Sequence, residues 1–349
     1  MSEQQEPREQ PAARGAEQTA EERAGKPIPG TPREDGGPSQ YLAKRDAVSE
    51  QGHKRVLEYP PLPEPLPGYC YDNHTHLEIE DGDEETGQLE LAEQLDRASA
   101  VGIRGSITVG GDVPSSRWAA EAASHEPRLL AAVAIHPNEA PRYAEAGELD
   151  EAIAAIDALA PLPRVRAIGE TGLDYFRTEG EAALKAQMDS FEAHIELAKR
   201  HELAMQIHDR DAHDDVIATL RRCGAPETTV FHCFSGDADI ARICADEGWY
   251  LSFAGTVTFK NAKNLREALE VTPVERILVE SDAPFLTPTP FRGRPNAPYL
   301  VPHTIRFIAE HLGKDLAMLT AIIAANTERV YGAWDAEPLA HPAEQLARP

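Results

Sequence analysis

The chain has no run of 18 or more apolar residues, so a membrane-spanning helix is not expected. Its first thirty residues, MSEQQEPREQPAARGAEQTAEERAGKPIPG, lack the apolar core of a secretory signal. The four cysteines, Cys70, Cys223, Cys233 and Cys244, make no CxxC pair and read as reduced thiols of a cytoplasmic protein. Positive charge is scarce: 34 Lys and Arg stand against 59 Asp and Glu, for a net charge of −25. Such a field repels polyanions and excludes broad, non-specific coating of DNA, which needs a basic footprint. It does not exclude a nuclease whose phosphate contacts are local and carried by metal ions. Internal repeats are absent, and no glycine-rich phosphate loop follows the first strand pattern.

What is present is an ordered alternation. Residues 1–68 are rich in Pro, Glu, Gln and Gly and are expected to be a disordered extension. Their last part, YPPLPEPLP, reads as a polyproline-like lead-in. Residues 333–349 read as a loose C-terminal tail. Between them, strand patterns fall at 69–75, 103–109, 129–135, 165–169, 203–208, 228–232, 249–253 and 276–281. Helical patterns lie between and after them, including 181–200, 214–222, 237–247 and 315–331. In 181–200 the apolar residues Leu184, Met188, Phe191, Ile195 and Ala198 recur at three- and four-residue spacing, and Thr178 with Glu181 is expected to form a capping box. Eight strand–helix units in 69–332 point to a (β/α)8 barrel, the TIM-barrel class of α/β fold. An open doubly wound sheet is the competing architecture, and HTHLE stands where its phosphate loop belongs.

The residues suited to metal chemistry share one kind of position. His74 and His76 end the first strand pattern, in YDNHTHLE. His136 follows the third, Glu170 the fourth. His208 ends the fifth, His232 the sixth and Asp282 the eighth. The C-terminal ends of barrel strands converge on one rim, where active sites form. His74, His76, His208 and His232 with the two carboxylates suit one or two divalent metal ions, and His136 fits either a ligand or a substrate contact. Each residue alone has an ordinary structural explanation. Five separate explanations at five strand ends are harder to sustain. Alternation is expected to turn Asp72, His74 and His76 to the lumen, with Asp72 behind the histidines, and Tyr71, Asn73 and Thr75 toward the helices. By the same rule Cys233, next to His232, is expected to pack away from the site.

At this point the sequence resembles the TatD-type metal-dependent deoxyribonucleases of the amidohydrolase superfamily. The resemblance runs from about Asp72 to Gly332. It is carried by DNHTHLE, AIHPNEA, AIGETGLDYFR, QIHDRDA, FHCFSG, VESDAPFLTPTPFRGRPNAP and NTERVYG, in that order. It implies that His74, His76 and Asp282 hold one metal, His208 and His232 a second, and that Glu170 bridges the two. It further implies that Asp282 handles the proton of the attacking water, with Mg, Mn or Zn as the ion. The usual GEIGLD of the family reads GETGLD here, so Thr171 replaces an apolar residue beside the bridging carboxylate.

The implied activity is hydrolysis of DNA phosphodiester bonds, from a 3′ end or on single strands, with no membrane and no obligatory protein partner. Arg177, Arg210, Arg292, Arg294, Asn296 and His136 are expected to contact substrate, and Tyr175 or Phe285 to stack on a base. The alternative is another hydrolase of the superfamily acting on a small phosphoester, ester or amide. Its carbon–nitrogen hydrolases often carry a carboxylated Lys where Glu170 stands, which disfavours that choice.

Overall fold

A computed structural model describes residues 41–48, 52, 54–82 and 89–334. At its centre are eight parallel strands: β1 (Cys70–Thr75), β2 (Ile103–Val109), β3 (Leu129–Val133), β4 (Val165–Asp174), β5 (Ala204–Arg210), β6 (Thr229–Phe231), β7 (Tyr250–Phe253) and β8 (Ile277–Val279). Each pairs with its sequence neighbour, in the order β8-β7-β6-β5-β4-β3-β2-β1. The seam between β8 and β1 is drawn together just past the strand ends. There His76 N–H donates to the Ala283 carbonyl at 2.7 Å, and Asp282 N–H to the His74 carbonyl at 2.9 Å. Asn73 Nδ2 donates to the Val279 carbonyl at 2.7 Å. The expected barrel is therefore the observed one.

The strands are buried on both faces, as parallel strands under a helical shell must be. In β3, Leu129, Ala131 and Val133 join the core beneath the helices, whereas Leu130 and Ala132 join a separate cluster in the lumen. The outer layer comprises α1 (Leu91–Ala100), α2 (Val113–His125), α3 (Ala140–Ala146), α4 (Leu149–Leu159), α5 (Glu181–His201), α6 (His213–Cys223), α7 (Ala238–Asp246), α8 (Lys263–Val271), α9 (Val301–His311) and α10 (Leu316–Tyr331). Local chemistry starts several of them. Asp112 accepts from Ser115 N–H at 2.8 Å to cap α2, and Asp315 accepts from Met318 N–H at 2.9 Å to cap α10. Helix α5 buries Phe191, Ile195 and Ala198, as its spacing indicates. It has no capping box. Gly180 is its N-cap, and Thr178 Oγ1 instead accepts from Gln187 Nε2 at 2.7 Å.

Both ends of the barrel sequence hold more structure than composition suggests. Residues 54–68 lie in the region expected to be disordered, yet Arg55, Tyr59 and Leu66 are buried. Tyr299 Oη donates to the Pro60 carbonyl at 2.6 Å, and Arg306 Nη2 donates to the Glu64 and Pro65 carbonyls at 2.8 and 2.9 Å. A proline-rich segment leaves carbonyls unpaired, and these side-chain donors fasten them. The rest of the extension, residues 1–40, 49–51 and 53, lies outside the described residues, as do 335–349 of the expected tail. Trp334, placed in that tail by its sequence position, stacks on Tyr71 at 4.2 Å and is buried. It closes the floor of the lumen with Tyr331 and Val330. Gly105 makes room for it, since a Cβ there would lie 2.5 Å from Trp334 Nε1.

Replacing Trp334 by Ala is expected to cost about 3–5 kcal/mol of stability. Urea unfolding would measure it, and a loss under about 1 kcal/mol would place the indole outside the core. Among the described residues, no helix is long and apolar enough to cross a membrane.

Candidate metal centre

The strand ends bring His74, His76, His136, Glu170, His208, His232 and Asp282 to one rim. Glu170 is the hub. Its Oε2 lies 3.5 Å from His74 Nε2 and 3.6 Å from His76 Nε2. Its Oε1 lies 2.6 Å from His208 Nδ1, 2.9 Å from His232 Nε2 and 3.2 Å from His136 Nε2. One carboxylate thus presents one oxygen to each of two imidazole groups. Asp282 Oδ1 joins the first group, 3.6 Å from His76 Nε2 and 4.0 Å from His74 Nε2.

Irregular pairing aims Glu170. Ile168 faces the outer core, and strict alternation would send Glu170 the same way. The pairing of β4 with β5 slips between Ile168 and Thr171 and then continues to Asp174–Arg210. Such an irregularity re-aims a side chain. Gly172, at φ 146°, permits the close approach of the strands, because a Cβ there would meet the His208 carbonyl oxygen at 2.0 Å. The pairing of β1 with β2 is also irregular, between Cys70 and Tyr71 and between Asp72 and Thr75. Tyr71 consequently belongs to the lumen cluster rather than to the helical layer.

The imidazoles are held from behind. His74 Nδ1 lies 3.0 Å from Gln206 Oε1. Gln206 Nε2 donates to the Asn73 carbonyl and to Tyr331 Oη, each at 2.9 Å, so its oxygen is the atom left to face His74. His74 Nδ1 must therefore carry the proton, which leaves the Nε2 lone pair for the hub side. His76 Nδ1 faces the Val109 carbonyl at 3.1 Å, and His232 Nδ1 faces Glu280 Oε1 at 3.2 Å. His208 Nε2 faces Asp174 Oδ2 at 3.2 Å. This arrangement, with one nitrogen held by an acceptor and the other turned inward, is how metal-binding histidines are oriented.

His136 differs. Its Nδ1 accepts from Asn138 N–H at 3.0 Å. In the neutral ring Nε2 then bears the proton and donates toward Glu170. His136 is built as a hydrogen-bond donor, unlike its neighbours.

The charges are mutually dependent. Burial raises the Glu170 pKa, but the imidazoles of His232 and His136 outweigh it and hold the carboxyl well below its usual range. Asp282 is likewise raised by burial and lowered further by the His76 hydrogen bond. Burial lowers the pKa of His76 and His232, yet their carboxylate neighbours push both well above the ordinary histidine value. A buried pair of carboxylates surrounded by imidazoles is also suited to metal cations. His74 Nε2 and His76 Nε2 are 3.3 Å apart beside two carboxylates, and sets of three possible ligands occur at His74–His76–Glu170 and His136–Glu170–His208. Nitrogen and oxygen donors of this type fit Zn, Mn or Mg.

Several residues lie where spacing alone does not place them. Asp72 holds Ser281 and the His74 backbone rather than an imidazole: it accepts from Ser281 Oγ at 2.5 Å, Ser281 N–H at 2.8 Å and His74 N–H at 3.3 Å. The partners of the rings are Gln206, Glu280 and Asp174. Gln206 and Glu280 stand two positions before His208 and Asp282, and alternation from those residues points to both. Cys233 does not pack away from the centre. β6 ends at Phe231, and Cys233 has φ 40°, which breaks alternation. Its N–H donates to Glu280 Oε1 at 2.7 Å, and burial followed by the charges of Asp282 and Glu280 pushes its thiol well above the usual range.

The expected substrate contacts divide. Arg210 remains at the rim, its guanidinium 4.0 Å from the centre of the exposed Phe176 ring. Tyr175 Oη donates to Asp215 at 2.6 Å, and the Phe285 ring lies 6.1 Å from that of His76. Arg177 N–H donates to Asp174 Oδ1 at 2.8 Å, and its side chain is exposed. Arg292 lies over Phe259 at 4.3 Å. Arg294 is turned to the N-terminal segment, donating to the Glu58 and Tyr59 carbonyls at 2.9 and 3.0 Å. Asn296 is buried and braces the turn after Asp282 through the Ser281 and Phe285 carbonyls, at 2.7 and 2.5 Å. These bonds occupy Arg294 and Asn296 away from the hub.

Gln206→Leu is expected to weaken zinc binding by about 10–100-fold, the usual range for losing a partner behind a ligand. Competition against a chromogenic chelator measures this, and unchanged affinity would show that the amide does not set the His74 ring.

A parallel barrel with imidazole and carboxylate donors gathered at its strand ends defines a metal-dependent hydrolase. The family model described as TatD related DNase matches residues 71–332, and the chain belongs to that family. It is 43% identical over 264 residues to an uncharacterized metal-dependent hydrolase TatD of Mycobacterium tuberculosis, covering 75% of this chain and 97% of that protein. It is 34% identical over 251 residues to a 3′-5′ ssDNA/RNA exonuclease TatD of Citrobacter rodentium, covering 69% of this chain and 91% of that one. The crystal structure of YJJV, a TatD homolog from Escherichia coli, shares the fold at TM-score 0.66 and 23% identity, covering 76% of this chain and 98% of that one.

Proposed function

We propose that this chain is a phosphodiesterase that degrades single-stranded DNA from the 3′ end. The observation that carries the reading is the division of Glu170, whose two oxygens serve separate imidazole groups. In this reading His74, His76 and Asp282 would hold one divalent cation and His208 and His232 a second, with one oxygen of Glu170 available to each group. Cations at such sites supply Lewis acidity to a phosphodiester and make water acidic enough to ionise near neutral pH. Asp282, held ionised by the histidines around it, takes the proton of the attacking water. His136 Nε2–H, directed at Glu170 without substrate, would turn to a phosphate oxygen once cations occupy the Glu170 oxygens. Arg210 offers a guanidinium to a neighbouring phosphate, and the exposed Phe176 ring on which it stacks offers an aromatic surface to a base.

The name of the Citrobacter rodentium relative supports the choice of a nucleic acid and of 3′ polarity. Two labelled strands test it, one blocked by phosphorothioate linkages at the 3′ end and one at the 5′ end. The 5′-blocked strand should be shortened progressively in Mg or Mn, while the 3′-blocked strand persists. Equal loss of both would refute the polarity, and persistence of both would refute the nuclease.

A further inference from the structure

Residues 41–48 precede the region matched by the family model, yet they lie beside the candidate metal centre. The turn that follows His76 anchors them. Leu42 N–H and Ala43 N–H donate to the Glu78 carbonyl at 2.8 and 3.3 Å, and Arg45 N–H donates to the Glu80 carbonyl at 2.8 Å. Ala43–Lys44 pairs in parallel with Ile79–Glu80. Beneath this ribbon Asp81 is buried. Its carboxylate receives Arg55 through Nη1 at 3.0 Å and Nη2 at 2.5 Å, and Arg45 through Nη1 at 3.2 Å. Two guanidinium groups therefore meet on one carboxylate, and Lys44 beside them is paired with Glu80 at 2.9 Å.

Arg45 lies close to the proposed ligands. Its Nη1 also donates to the carbonyl of Pro284, two residues beyond Asp282. Its guanidinium carbon lies 4.9 Å from the centre of the Phe285 ring, and that ring meets the ring of His76 edge-on. The bonds to Asp81 and Pro284 both use Nη1, and a quarter of the side chain stays exposed. A guanidinium fixed over an aromatic ring is preorganised for a phosphate oxygen pair. Screening confines its effect to about 8–10 Å, a range that takes in the rim.

We infer that Arg45, supplied by the segment before the barrel, extends the substrate surface and engages a backbone phosphate flanking the bond to be cleaved. The inference rests on the nuclease reading. It makes Arg45 a specificity residue for chains of several phosphates, because the cleaved phosphate itself lies over the Glu170 hub. A brace for the 282–285 turn is the competing role, and the two differ in salt dependence.

The test is fluorescence anisotropy of a short fluorescein-labelled DNA single strand, blocked at its 3′ end by phosphorothioate linkages and bound to the chain in the presence of Mg, across a series of salt concentrations. Arg45→Ala should weaken binding about tenfold. It should also flatten the log–log salt dependence by about 0.7, the share of one phosphate on a single strand. Its metal content should equal that of the wild type, and Arg45→Lys should recover part of the slope. Arg242→Ala, an exposed arginine paired with Asp239 on α7, serves as the control. An unchanged slope in Arg45→Ala, or metal lost together with affinity, would overturn the inference. If the wild type binds the blocked strand but does not digest an unblocked one and the slope still falls, the nuclease reading fails and Arg45 is still a contact to a backbone phosphate. If it cleaves and the slope is unmoved, the reverse holds. A wild type that does not bind the strand contradicts both.

Discussion

Glu170→Gln is expected to lose at least about a thousandfold in kcat/KM on single-stranded DNA, or roughly 4 kcal/mol of transition-state stabilisation. The amide has nearly the same size, so the change acts on charge. One of the two oxygens becomes an NH2 group, which repels a cation and offers no lone pair. Either group of imidazoles then loses its anion: His74 and His76 on one side, or His136, His208 and His232 on the other. Bound metal per chain should fall alongside activity, as read by elemental analysis after gel filtration. The fold should persist, because the barrel is held by β4–β5 pairing and by the cores on both faces of the strands. A variant that keeps full metal content and more than a tenth of the wild-type rate would remove Glu170 from its role.

The second large effect falls on Asp282, which the account makes both a ligand of one cation and the acceptor of the water's proton. Asp282→Asn is expected to lower kcat by about 10²–10⁴-fold, the range for removing a general base. Asp282 sits at φ 52°, a left-handed conformation that Asn also adopts readily. Its N–H donates to the His74 carbonyl and its carbonyl accepts from Phe285 N–H at 2.8 Å, and both bonds survive the change. The Asn variant should therefore keep the turn and the His208–His232 side of the centre. What it loses is a carboxylate that burial alone would neutralise and that His76, His232 and His74 hold ionised. Single-turnover rates on labelled DNA measure this directly. A rate within tenfold of the wild type, with unchanged metal content, would assign the proton to another group.

Much of this arrangement was legible in the sequence, for identifiable reasons. Parallel strands buried on two faces give apolar runs, and the spacing of eight runs fixes a barrel. Ligand-type residues at successive strand ends then need only the rule that these ends converge. What escaped was local irregularity. The slip between Ile168 and Thr171 re-aims Glu170, and the irregular pairing of β1 turns Tyr71 into the lumen. Neither shift leaves a composition signature. The positive φ of Cys233 likewise defeats alternation at the residue beside His232.

Composition misled at the ends for a different reason. Proline-rich 54–68 has few apolar residues of its own, but its carbonyls are taken by Arg294, Tyr299 and Arg306 from the barrel. Those partners are more than two hundred residues away in sequence, which no local pattern registers. The same bonds explain why Arg294, an apparent substrate contact, is occupied elsewhere.

The central claim is that the hub formed around Glu170 is a metal centre that cleaves DNA. Its most direct test is chelation and rescue with an end-labelled single strand. The chain stripped with EDTA and desalted should leave the strand intact. Returning Mg, Mn or Zn should restore digestion in the wild type and not in Glu170→Gln. Digestion by the stripped protein, or equal rescue of the variant, would contradict the account.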